Sequence, residues 1–90
     1  MVMREIIWRR QCERGLERMI QRGKDREKFL DIVELLRSDG RVLTKHHAHK
    51  LSGEYAGFWE CHIESDWLLI YDITDEAVLL VRTGTHTDLF

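Results

Sequence analysis

Five histidines, His46, His47, His49, His62 and His86, lie in the second half of this 90-residue chain, together with Asp66 and Arg82. Imidazole is the side chain whose unperturbed pKa lies nearest neutral pH, so it can both take and give protons. Arginine adds a permanent cation whose planar fork of donors matches phosphate. Here the apolar run Ala77-Val78-Leu79-Leu80-Val81 leads straight into Arg82. A base, an acid and a cation are what RNA cleavage requires. The 2′-hydroxyl loses its proton and attacks phosphorus, negative charge builds on the non-bridging oxygens, and the 5′-oxygen leaves as it is protonated. No cofactor is needed for this. Zinc is the rival reading of the same histidines, but the chain has no HxxxH, CxxC or HExxH spacing to converge three or four ligands. His46-His47 reads as a solvated loop pair.

These groups must be held by elements that the apolar pattern predicts. Met3–Trp8 is short and β-branched and suits a first strand. Cys12, Leu16, Met19 and Ile20 recur at helical spacing between Gln11 and Arg22, with Gly23 as the stop. Asp25 can cap a second helix, in which Phe29, Ile32, Val33 and Leu36 form one stripe and Ser38-Asp39-Gly40 the end. A loop follows from Arg41 to Ala56. Three strands near Gly57–Ile63, Trp67–Ile73 and Ala77–Thr83 then succeed one another, joined so closely that they must pair antiparallel. The expected fold is α+β, a helical hairpin on one face of a small, mainly antiparallel sheet in the order β-α-α-β-β-β.

Two-residue turns centred on Glu64-Ser65 and Thr74-Asp75 would set His62 opposite Trp67 and Trp67 opposite Arg82, all on one face. Phe58, Tyr71 and Val78 would share that face. Trp59, Cys61, Leu68, Ile70, Leu79 and Val81 would lie on the other, under the helices. Gly84 would turn the chain to bring His86 back towards Arg82.

Residues 1–90 read as one domain, with 43% hydrophobic and 33% charged residues, no repeat, no proline and no apolar run of membrane-spanning length. The start lacks a secretory h-region, and Cys12 and Cys61 stand far apart as buried thiols do, so the cytoplasm is the expected compartment. Net charge is −2. The first forty residues hold ten Lys/Arg against eight Asp/Glu; the last fifty hold four against eight. That balance is poor for holding RNA by charge alone.

Lys50-Leu51-Ser52-Gly53, His62 through Tyr71, and Arg82-Thr83-Gly84-Thr85-His86 followed by Leu89-Phe90 resemble the RelE-type toxins, specifically the YafQ branch. The resemblance implies a RelE-like toxin of a toxin–antitoxin pair that enters the ribosomal A site and cuts messenger RNA, with a cognate antitoxin in a hetero-oligomer and no membrane partner. It implies catalytic roles for His49, His62, Asp66, Arg82 and His86, with Trp67 and Phe90 at the site. By proton chemistry His86 would be the acid, His62 or Asp66 the base, and Arg82 the phosphate clamp. His49 would orient phosphate or share the base role, and Phe90 would stack on a base. Trp59 stands where the branch commonly has arginine, and Ser65 where it commonly has proline. The first departure would remove a phosphate contact, either weakening RNA or ribosome binding or moving that role to Lys50 or Arg41. The other classes open to this chain are a toxin of the same fold that binds DNA gyrase without cutting RNA, and a small zinc-binding interaction module.

Overall fold

The computed structural model describes residues 3–38 and 46–90. Strand β1, Glu5–Trp8, is followed by helices α1, Arg10–Gln21, and α2, Arg26–Ser38. Cys12, Gly15, Leu16 and Met19 are the buried stripe of α1. After α1 the chain turns through Gly23 at φ +97°, where an L side chain would be strained. The expected cap of α2 forms: the Glu27 amide donates to Asp25 Oδ1 at 2.9 Å. Phe29, Ile32, Val33 and Leu36 are buried as their spacing predicts. Phe29 stacks between Trp8 and Trp67, with ring centroids 5.6 and 6.3 Å away. The expected helix end at Asp39-Gly40 and the phosphate role of Arg41 lie outside the described residues.

The rest of the chain supplies β2, His49–Lys50, β3, Trp59–Glu64, β4, Trp67–Ile73, β5, Ala77–Gly84, and a one-turn helix α3, His86–Leu89. The five strands form one sheet in the order β1-β5-β4-β3-β2. Among the described residues, only the β1–β5 pair is parallel. The fold class is therefore α+β as expected. The region expected to be loop, however, contains β2 and a 3-10 turn at Gly53–Tyr55. Two- and three-residue elements are too short to show a hydrophobic period.

Both turns sit one residue later than expected. Glu64 pairs with Trp67 across Ser65-Asp66, and the Thr74 amide donates to the Ala77 carbonyl across Asp75-Glu76. Each hairpin also contains a bulge. His62 pairs with Leu68, leaving Ile63 extra in β3. Ile70 pairs with Arg82 while Tyr71 pairs with Leu80, leaving Val81 extra in β5. A slip of one residue exchanges the faces of a strand. Trp67, Tyr71 and Val78 consequently lie in the main core beneath the helices, not on the histidine face. Leu68, Ile70, Leu79 and Val81 build a second, smaller core on the opposite face with Tyr55 and Leu89. Cys61 and Trp59 stay on the helical side as expected. Burial pushes the Cys12 and Cys61 thiols up to about 12, so both remain protonated. Among the described residues no helix is long and apolar enough to cross a membrane.

Candidate active site

The sheet face away from α1 and α2 carries the chemistry, in two cross-strand rows. One row runs His49, Glu60, Ile70, Arg82; the next runs His62, Leu68, Gly84. The Val81 bulge matters here, because Leu80 faces the main core while Arg82, two residues on, reaches the other side. Arg82 is fixed there by donating to Tyr55 Oη at 2.9 Å and to the Asp88 carbonyl at 3.3 Å.

Beyond Gly84 the chain enters α3 through a reciprocal cap. Thr85 Oγ1 accepts from the Asp88 amide, and Asp88 Oδ2 accepts from the Thr85 amide. Arg22, at the end of α1, donates to both Asp88 oxygens at 2.7 and 3.2 Å. This lock sets His86 against Asp66. Asp66 Oδ1 accepts from the His86 amide at 3.0 Å and from Nδ1–H of its ring at 2.6 Å. Because an ionised carboxylate only accepts, Nδ1 carries the proton and Nε2 is left for exchange with a substrate. The two His86 donors, the backbone one foremost, hold the Asp66 carboxyl below its ordinary range.

His62 stands next to His86, ring centroids 5.9 Å apart, and 5.4 Å from the ring of His47. Its pKa is lowered, chiefly by burial, which leaves the ring neutral and able to accept a proton near pH 7; Glu60 opposes that shift and the neighbouring histidines add to it. His46 and His47 are therefore more than a solvated pair. His46 Nδ1–H donates to the His62 carbonyl at 3.1 Å, and both line an open cleft with His62, Ile63, Glu64 and Ser65. His47 has φ 54°, a left-handed conformation rare outside glycine. His49 Nδ1–H donates to the His47 carbonyl at 2.9 Å.

Two expected site residues lie elsewhere. Trp67 is fully buried on the helical side, where its Nε1–H donates to Thr83 Oγ1 at 3.0 Å. Its role is to pack the core, and the β3–β4 bulge is the reason simple alternation misplaces it. Lys50 points away from His49, its Nζ 5.8 Å from the centroid of the Trp59 ring on the helical side. It does not replace a phosphate contact on the histidine face. Phe90 does meet the site: it is 63% exposed and set edge-on against Tyr55, the acceptor of Arg82. Tyr55 and Glu60 join the site unanticipated. The strand that pairs His49 with Glu60 has no pattern of its own, and Glu60 stands among ordinary acidic residues in the sequence. Among the described residues no three His, Cys, Asp or Glu side chains converge as metal ligands.

The Asp88 lock yields a pH-dependent prediction. Its carboxyl is held far below the ordinary value, first by Arg22 and then by the Thr85 amide. A carboxyl lowered on folding stabilises above its unfolded pKa of about 3.9 and loses that contribution as pH falls through the folded value. Asp88→Asn should therefore melt below the unmutated chain at pH 7, and the gap should narrow below about pH 4. Melting curves from pH 7 to pH 3 check this; a gap of constant width would show that charge plays no part.

The chain is similar to known proteins over its whole length. The family model for the bacterial toxin of type II toxin–antitoxin systems, YafQ, matches residues 4–90. The mRNA interferase toxin YafQ of Escherichia coli K12 is 34% identical over 91 residues, spanning 100% of this chain and 99% of that protein. A crystal structure of a YafQ mutant from E. coli superposes with a TM-score of 0.89 at 33% identity, covering 97% of this chain and 98% of that one. YafQ in the crystallised E. coli DinJ–YafQ toxin–antitoxin complex gives 0.88 at 32%, covering 99% of each chain. The chain belongs to the YafQ family of bacterial toxins of type II toxin–antitoxin systems.

Proposed function

We propose that this toxin is a ribosome-dependent endoribonuclease that cleaves messenger RNA by attack of the substrate's own 2′-hydroxyl, without a metal. The observation that carries the reading is the grouping of His62, His86 and Asp66 on the same sheet face as a tethered Arg82. His62, made a neutral acceptor by burial, takes the 2′-hydroxyl proton. Asp66 is the weaker candidate for base, because both its lowered pKa and its bonds to His86 commit it to orienting that ring. His86 gives a proton to the departing 5′-oxygen, and Arg82 meets the charge that builds on phosphate. His49 lies on the same face as a second acceptor, and the exposed Phe90 ring is a platform for an unpaired base.

Delivery by the ribosome accounts for the net charge of −2: a message already positioned in the A site need not be captured from solution. The site of action is then the cytoplasm. The crystallised relative is complexed with its antitoxin DinJ, and this chain is expected to pair likewise with a cognate antitoxin in a hetero-oligomer. A gyrase-binding toxin would make no use of the His86–Asp66 pair.

The test is induced expression in translating cells with mapping of new RNA 5′ ends, beside an Arg82→Ala variant confirmed as folded. Cuts within translated messages that disappear in Arg82→Ala are expected. Growth arrest without new 5′ ends would refute the nuclease reading.

A further inference from the structure

Glu60 lies in the middle of the site face, and the cleavage reaction leaves it without a task. It is only 4% exposed. It pairs directly across from His49 in β2, and Ile70 separates it from Arg82 in β5. Its Oε1 is 3.5 Å from His49 Nε2 and 3.9 Å from His62 Nε2. Its Oε2 is buried with no hydrogen-bond partner among the described residues. A carboxylate taken out of water with an oxygen unsatisfied destabilises a fold, and an apolar side chain of the same volume would pack there without that cost. A cost of this kind within 4 Å of two proton acceptors points to chemistry rather than packing.

We propose that Glu60 is a positioning residue for the cleavage reaction, a buried counter-charge that steadies whichever of His49 and His62 has taken the 2′-hydroxyl proton. The inference rests on the nuclease reading above. The proton passes from the 2′-oxygen to an imidazole nitrogen as the oxygen–phosphorus bond forms; the imidazolium then sits beside Oε1, and the bond to the 5′-oxygen breaks as His86 supplies the second proton. Either histidine can serve because both present Nε2 to one oxygen. The other charged groups near by act differently. His47 and His86 disfavour a charge on His62, and Arg82, one strand beyond Ile70, is committed to Tyr55 and the Asp88 carbonyl. Among the described residues, Glu60 is thus the group that raises the His62 pKa against burial and three neighbouring histidines.

Glu60→Gln keeps the shape and removes the charge. In the purified chain, NMR titration of the His62 ring should show its midpoint move down by about one pH unit. In translating ribosomes the acid limb of kcat/KM should move the same way, and its plateau should fall roughly 10-fold or more, because a weaker base takes the proton. Glu60→Met, of similar volume, should melt at or above the temperature of the unmutated protein. An unmoved His62 midpoint in Glu60→Gln overturns the inference whatever the activity, as does a marked fall in melting temperature for Glu60→Met. Failure of the unmutated protein to cut ribosome-bound message would instead overturn the nuclease reading, while the titration still reports on the charge.

Discussion

His86→Gln is expected to lower the turnover of ribosome-bound message by roughly 10²–10⁴-fold, the span associated with one general acid. Asp66 fixes the ring through Nδ1, so Nε2 is the atom that would meet the leaving oxygen. Glutamine retains a backbone amide for Asp66 but has no proton to give at working pH. Ribosome binding should stay near normal, and so should folding, because the side chain of His86 is 55% exposed and lies beyond the last core strand. Rapid single-turnover kinetics separate the two effects. A message with one 2′-deoxy sugar at the cut position should resist even the unmutated protein, and ordinary products should carry a 5′-hydroxyl. Efficient cutting of the deoxy message, or a 5′-phosphate, would make water the nucleophile and strip His62 and His86 of their proposed roles as base and acid.

The largest expected loss of stability lies at a residue with no chemistry. Gly15 sits in the middle of α1, where alanine would ordinarily stabilise the helix by about 1 kcal/mol. A Cβ built there would collide with the Thr83 carbonyl oxygen and lie 3.3 Å from its Cγ2. The first contact is with backbone, so α1 must lift away from β5. Gly15→Ala should cost about 2 kcal/mol or more despite its better propensity, as overpacked cores do. Thr83 Oγ1 also accepts from Trp67 and donates to the Leu68 carbonyl at 2.6 Å, so the displacement would pass along β5 to Arg82 and across into β4. Denaturant melts of the two proteins check this. A neutral or stabilising Gly15→Ala would mean that the helix approaches the sheet less closely than the structure has it.

Those parts of the fold whose signals repeat are legible in the sequence. Four apolar residues in α2 at i, i+3, i+4 and i+7 define its buried face almost alone, and Asp25 marks its beginning. The three successive strands are equally plain; His62 and Arg82 do share a face, but not opposite Trp67 as simple alternation has it. Strand faces are harder. Alternation puts Trp67 on the histidine face because it assumes an unbroken ladder, and a bulge is a single-residue event with no composition of its own. Glu60 escapes notice for another reason. Nothing distinguishes a buried glutamate from an exposed one until its neighbours in β2 and β4 are known, and β2 is only two residues long.

Val81 has a bearing on how the chain can change in length. In a regular strand, losing one residue turns over everything beyond it. Here Val81 and Arg82 together occupy one place opposite Ile70, while Leu80 and Thr83 face the main core on either side. A β5 without Val81 would close into an even ladder with Arg82 still turned to His62's face and Thr83 still under Trp67. It would forfeit one apolar side chain of the smaller core. Elsewhere in the strand, removal of a single residue has no such slack to draw on. The bulge is thus the point at which β5 tolerates a deletion, next to the residue whose orientation the proposed chemistry can least do without.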